Sequence, residues 1–254
     1  MKRKILSIVF VLIFVVPFAV SSQSSVKGNS VNGATGIVTT PTARIGWEYS
    51  DLGLDFGYSF LYGNGTAHVP RVTFSFLKKA EIGVAFNIRG GDDWDFLYHG
   101  KFQFYMNGGS AVAMGVMGDL SNVGGSSDVY LTPYLVASYS GNFFKWPAVT
   151  TMMFGWRMLE AGSISSNFAF SMGFELALAP QVFKNYVFWI SDFSNYSFAE
   201  RASINARDRG AFNTGIRIDP VKKGKFKLVF DLIGTDLLES SRGLSASATF
   251  GIGF

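Results

Sequence analysis

Apolar and polar residues alternate with a period of two through most of the chain. In the last eleven residues, Leu244, Ala246, Ala248, Phe250, Ile252 and Phe254 share one parity and Ser245, Ser247, Thr249, Gly251 and Gly253 the other. Successive side chains of a strand point to opposite faces, so this stretch reads as a strand with one apolar and one polar face. The same dyad recurs in segments of about ten residues. Leu52, Leu54, Phe56, Tyr58 and Phe60 oppose Gly53, Asp55, Gly57 and Ser59; Phe168, Phe170, Met172, Phe174 and Leu176 oppose Ala169, Ser171, Gly173 and Glu175. Counting them predicts an all-β, antiparallel, up-and-down barrel of about twelve strands, with ten to fourteen as the range. Tyr186 to Ser191 is the poorest member, apolar on both parities.

Alternation alone does not say which face is inside. In a soluble sandwich the apolar parity faces inward. Here the other parity holds Gly, Ala, Ser and Thr, punctuated by Asp55, Arg71, Glu81, Arg89, Asp95, His99, Lys101, Asp119, Arg157, Glu175, Arg217, Asp219, Lys227 and Asp231. Small residues with charges of both signs suit a neutral, polar lumen better than a solvated outer face, which carries more Lys and Glu. The apolar parity then faces lipid, and closure into a barrel satisfies every strand edge there. Tyr62, Trp94, Tyr139, Trp146, Trp156 and Tyr186 fall near strand ends, as interfacial aromatics do.

If the last strand ends in the periplasm, Leu77 to Ala80, Asn107 to Gly109, Ala179 to Asn185 and Val221 to Lys225 are periplasmic turns. The other side receives the longer loops, chiefly Asp192 to Gly210 with Arg201, Arg207 and Arg209. Two connections fit poorly: the brief Gly90 to Asp93, and the region around Gly141 to Trp146 on the short side.

Composition adds the compartment. Charged residues make up 16% of the 254 residues and Phe occurs 26 times, so something larger than a small core must receive those rings. Lys2, Arg3 and Lys4 precede an apolar run from Ile5 to Phe18 and then small and polar residues, the layout of a signal peptide over residues 1–22. Removing those three cations from the formal charge of +4 leaves +1, so no basic run argues for nucleic acid. The chain has no cysteine, hence neither a disulfide nor a lipidated cysteine. Residues 23–51 form a polar leader and a Gly/Thr/Pro segment, and 52–254 the barrel. Ser24 to Asn32 reads as a mobile leader. Pro41 cannot donate to a ladder and pushes Thr40 to extended backbone. The stretch Gly36 to Ile45 is thus open to three placements: a turn before the first strand, additional strands, or chain folded into the lumen.

Two resemblances attach to these residues. The closing strand, with apolar residues at alternate positions before a final Phe, resembles that of bacterial outer-membrane β-barrels. This implies a multi-pass location in the outer membrane of a diderm bacterium after signal cleavage, with the lipid bilayer as partner and Phe250, Ile252 and Phe254 as the signal read by the barrel assembly machinery. Gly36, Ile37, Thr40, Pro41, Thr42 and Ala43 resemble the G-[IVL]-x-x-[ST]-P-T-A element of the YjbH-like outer-membrane family. That resemblance covers about a tenth of the chain and implies an association with surface or secreted polysaccharide.

Chemistry is sparse. The possible general bases for a hydroxyl nucleophile are His68, at an outer loop edge, and His99 in the lumen; neither has a marked partner serine. Two histidines and no cysteine disfavour a transition-metal site, and no cofactor is expected. Asp219 and Asp231 lie beside Arg217 and Lys227 on neighbouring strands, which suggests ion pairs, Lys227 with Asp219 among them. Three readings follow: a narrow porin-like channel or export-associated barrel passing polysaccharide or small polar solutes; a plugged structural or surface-recognition barrel acting through its outer loops; and, third, a lipid-modifying enzyme. The expectation is a non-enzyme.

Overall fold

The computed structural model describes residues 26–63, 65–90, 94–123, 128–159, 167–199, 202, 204, 206, 210–221, 224–239 and 242–254. The signal-peptide reading and the loop residues Arg201, Arg207 and Arg209 lie outside them. Among the described residues twelve strands form one closed barrel: β1 (Leu52–Gly63), β2 (Gly65–Phe76), β3 (Ala80–Arg89), β4 (Trp94–Asn107), β5 (Ser110–Leu120), β6 (Val129–Phe143), β7 (Trp146–Leu159), β8 (Asn167–Ala177), β9 (Val187–Ser194), β10 (Ala211–Ile218), β11 (Phe226–Thr235) and β12 (Gly243–Gly253). A one-turn helix, α1 (Pro180–Phe183), links β8 to β9. Each strand pairs antiparallel with its neighbours in sequence, and β12 returns to β1 with Gly53 opposite Gly253 and Tyr62 opposite Leu244. No strand edge is left over, which is the condition for crossing lipid.

The apolar parity faces outward. Phe56, Tyr58, Phe102, Leu135, Phe154, Phe168, Phe230 and Phe250 are all exposed, while most of their neighbours of opposite parity, among them Asp55, Ser59, Lys101, Gln103, Tyr134, Val136, Asp231 and Thr249, are buried inside. An exposed aromatic belt around a buried polar interior inverts the soluble arrangement and identifies a membrane-spanning barrel. A bulge between Gln103 and Tyr105 lets Phe104 and Tyr105 both reach the outer face.

The Gly141 to Trp146 region is not a long connection. β6 runs on to Phe143, opposite Trp146 on β7, leaving only Phe144 and Lys145 as the turn. His68 is not at a loop edge either: it stands within β2, on the outer face, where its Nδ1 lies 2.5 Å from the Tyr58 hydroxyl.

The leader is the largest departure from expectation. Instead of a mobile tail, residues 26–48 fold into the lumen, and from Val26 to Trp47 all but Lys27 and Gly46 are buried. The segment enters at the end of the barrel that carries the short turns, where Lys27 donates to the Val221 carbonyl (2.6 Å) and pairs with Asp219 (3.3 Å). It forms a hairpin with bridges between Asn29 and Thr35 and between Gly36 and Pro41. It then returns to the turn end, where Trp47 packs against Gly53 and Gly253 at the start of β1 and the end of β12. Gly36 to Ile45 is therefore the tip and return arm of a lumenal hairpin.

Leu135, 53% exposed in the middle of β6, tests the facing. Leu135→Arg should lower stability in lipid vesicles by about 2–4 kcal/mol, measured by reversible urea unfolding. An unchanged midpoint would contradict a lipid-facing position.

Candidate functional site

The lumen is the candidate site, and its walls divide into two kinds. On β5 to β8 much of the inward surface is small or apolar: Ala111, Ala113, Met117, Tyr134, Val136, Met153 and Ala169 form one cluster with Ala43 of the hairpin and Tyr196. Toward the turn end of β1 to β4 and β8 to β11 the inward residues include the charged Asp55, Arg71, Glu81, Lys101, Glu175, Arg217, Lys227 and Asp231.

The hairpin tip is gripped by two charges of opposite sign. Arg217 on β10 holds Asp231 through Nε (2.8 Å) and Nη2 (3.0 Å), and Glu175 through Nη1 (2.8 Å). The same two terminal nitrogens donate to the carbonyls of Gly36 and Ile37, both at 3.1 Å. Arg217 lies opposite Asp231 in the β10–β11 register, and in place of the expected Lys227–Asp219 pair Lys227 takes Asp55 and Asp219 takes Lys27. Gly28 passes so close that a Cβ there would lie 2.0 Å from the guanidinium carbon. One strand away, Asp192 Oδ2 accepts the backbone N–H groups of Val38 (3.0 Å), Thr39 (2.6 Å) and Thr40 (2.8 Å), while Asn213 donates to Oδ1 (2.8 Å). Three successive amides converging on one carboxylate make an anion nest.

The return arm is held from the opposite wall. Glu81 on β3 accepts the Thr35 N–H (2.9 Å) and hydroxyl (2.7 Å) and pairs with Lys101 on β4 (2.8 Å). Lys101 donates to the carbonyls of Thr35, Thr42 and Arg44, and Gln103 to that of Ala43. Ser138 accepts the Ala43 N–H (2.8 Å), and Thr151 donates to the Pro41 carbonyl (3.1 Å). Arg44 pairs with Glu48 (3.1 Å) and caps the turn carbonyls of Gly108 and Gly109. Burial pushes the Glu48 carboxyl above its ordinary value, and Arg44 opposes that rise. Backbone groups of a segment without a sheet partner still need partners, and here wall side chains supply them.

The other predicted lumen residues fall as follows. Lys227 pairs with Asp55 across Gly251, which lies opposite both in register; a Cβ on Gly251 would sit 2.1 Å from Asp55 Oδ1. Asp55 also accepts the Trp47 indole N–H (2.8 Å). Arg71 donates to Ser59 (2.5 Å) and Thr249 (3.3 Å). Arg89 pairs with Asp95 at the loop end (2.5 Å). Arg157 donates to the Ser197 carbonyl (2.9 Å), stacks over Tyr130 and lies 4.0 Å from Asp119. His99 is buried, 3.9 Å from Glu81, on the opposite face of the wall from His68. Among the described residues no group of three His, Asp or Glu is placed to hold a metal ion. Phe250 and Phe254 are exposed on the outer face, and Ile252 is half-buried there.

The long connection after β9 does not project outward over its described length. Asp192 belongs to β9, and Phe198, Ala199, Ala202 and Ile204 turn into the barrel mouth. There they pack with Val31, Ile37 and Val38 of the hairpin and with Leu61, Leu97 and Ile190 of the wall. Tyr196 donates its hydroxyl to the Thr39 carbonyl (3.1 Å), and burial raises its pKa, so it remains a neutral donor. Beside it a cleft of about 260 Å³ is lined by Tyr130, Arg157, Asn167 and Asn195. Asp192, Tyr196, Arg44 and Trp47 are among the site residues that sequence reasoning missed. The signal for Asp192 was its shared parity with Phe188 and Ile190, the buried positions of β9.

Removing the Asp192 carboxylate leaves three buried N–H groups unpaired, at about 1–3 kcal/mol each. Asp192→Ala should therefore speed hydrogen exchange of the Val38 to Thr40 amides about a hundredfold or more. Unchanged protection would mean that the tip is held by apolar packing alone.

No family model and no curated protein matches this chain. Solved structures do. It is similar to the KdgM porin at 8% identity and a TM-score of 0.50, over 79% of this chain and 99% of that one. The KdgM porin in complex with disordered oligogalacturonate gives 0.53 over the same shares, again at 8%. The NanC porin gives 10% and 0.52, over 79% of this chain and 98% of that one. At such identities the likeness is one of fold, and together with the exposed apolar belt it agrees with a β-barrel of the outer membrane.

Proposed function

We propose that this protein is a channel-type outer-membrane barrel held shut at rest by its own N-terminal hairpin. The observation that carries the reading is the grip of Arg217 and Asp192 on the carbonyls and amides of Gly36 to Thr40. The turn half of the plug is held by hydrogen bonds that water can replace, and the wall charges also pair among themselves, Arg217 with Asp231 and Lys227 with Asp55. A wall of that kind stays solvated and neutral when the hairpin shifts, as a polar pore requires. The reading is non-enzymatic. Its physiological setting is export or passage of a polar saccharide. The resemblance of Gly36 to Ala43 to the YjbH-like family supports that setting, as does the oligogalacturonate bound by one of the similar porins. In this proposal Phe250, Ile252 and Phe254 serve as the assembly signal.

A second reading, a permanently plugged barrel, is favoured by the apolar cluster of Val31, Ile37, Val38, Phe198 and Ile204 at the loop end. Burying each such side chain contributes about 1.5–3 kcal/mol, enough to make spontaneous opening rare. A reversible lock separates the two. Thr39 and Ser194 hydroxyls are 3.2 Å apart, and the chain has no other thiol, so Thr39→Cys with Ser194→Cys can form a disulfide between tip and wall. The expected result in planar bilayers is silence when oxidised and openings when reduced, favoured by mild urea. Equal conductance in both states defeats the gate, and silence in both establishes the permanent plug.

A further inference from the structure

The two ends of the barrel differ in charge. The five connections at the turn end (77–79, 108–109, 144–145, 178–186 and 219–225) carry seven lysines and a single acid, Asp219. The six at the loop end carry eight carboxylates against four arginines. Asp219 is engaged by Lys27. At three of the five turns an exposed apolar residue stands directly before an exposed lysine: Leu77–Lys78, Phe144–Lys145 and Phe183–Lys184.

These apolar residues are displayed, not packed. Phe144 is 87% exposed, Leu77 72% and Val182, beside Phe183 in α1, 71%. Their backbones make the choice costlier. Leu77, Lys78, Phe144 and Lys184 all have φ between +49° and +58°, where Gly or Asn is the cheap residue and a side chain with a Cβ costs about 1 kcal/mol. A chain that keeps Leu, Phe and Lys at such positions uses those side chains.

The pattern forms a ring, since the three turns, β2–β3, β6–β7 and β8–β9, are distributed around the barrel. It is also continuous with the outer belt through Phe76, Phe143, Trp146, Tyr186 and Phe226. A ring perpendicular to the strands fits a flat surface, whereas a docked protein would need one patch. Apolar tips that reach the acyl boundary, each with an adjacent ammonium at phosphate height, match an anionic phospholipid interface. We propose that the turn end of this barrel binds the anionic headgroups of the phospholipid leaflet through this Leu/Phe–Lys ring, and that the loop end does not.

The test uses the full chain in vesicles of phosphatidylcholine and phosphatidylglycerol, with one lipid at a time brominated. Trp146, next to Lys145, reports on the turn end; Trp156, 46% exposed toward the other end of the same strand, reports on the loop end. Each signal is the difference between wild type and its Trp→Phe variant. Phosphatidylglycerol should be enriched several-fold around Trp146 at low salt and not around Trp156. Neutralising Lys145 and Lys184 together (Lys→Gln), both exposed and outside the wall, should remove most of that several-fold enrichment, and added salt should reduce it too. Equal quenching by the two lipids at Trp146, enrichment that survives the double substitution, or enrichment at Trp156 instead would each overturn the proposal.

Discussion

In hydrocarbon, a backbone N–H or C=O without a partner costs several kcal/mol, and the rest of this structure depends on that constraint. It forces the strands to close, and closure at twelve strands creates an interior. The interior then imposes the same demand again, because the hairpin inside it has only two isolated bridges of its own. The wall meets the demand with side chains: a carboxylate for three amides, a guanidinium for two carbonyls and an ammonium for three more. The charges of the lumen are thus in large part the sheet partners that the hairpin lacks.

This accounts for the uneven lumen. Where the hairpin presents backbone polar groups, the wall is ionic. Where it presents Val31, Ile37 and Val38, the wall and the inward loop are apolar, and the mouth is sealed by packing. The two zones respond to different influences. Polar solutes and denaturants compete with the first, while the second is covered by the apolar side chains of Phe198, Ala199, Ala202 and Ile204. Any gating reading must therefore treat Tyr196, which joins the loop to the Thr39 carbonyl, as the link between them.

Strand alternation, facing and strand number were legible in the sequence because a period of two is local and each strand must satisfy it. The charged positions were legible for the same reason: Arg217 and Asp231 are simply the inward members of their dyads. Their partners were not. Asp55 and Lys227 are joined across an intervening strand, and Asp192 meets a hairpin more than 150 residues earlier in the chain. The hairpin itself carries no period, and its Gly, Ser and Asn content matches that of an unstructured leader. Its order comes from contacts distant in sequence. Tyr186 to Ser191 lost its alternation because Phe188 and Ile190 face inward into the apolar cluster that includes Ile37 and Val38 of the hairpin.

Trp47 lies across Gly53 and Gly253, with the Lys227 ammonium 5.1 Å from its ring and the Lys227–Asp55 pair spanning Gly251 beside it. All three contacts straddle β12 and β1, the one pairing in the barrel whose members lie some 200 residues apart; the other strand pairs are made between consecutive strands. Ring closure over such a separation costs on the order of 5 kcal/mol in chain entropy, where a neighbouring hairpin costs far less. The small residues of the final strand therefore make room for a weld: an indole and an ion pair, set where the topology offers the least local help.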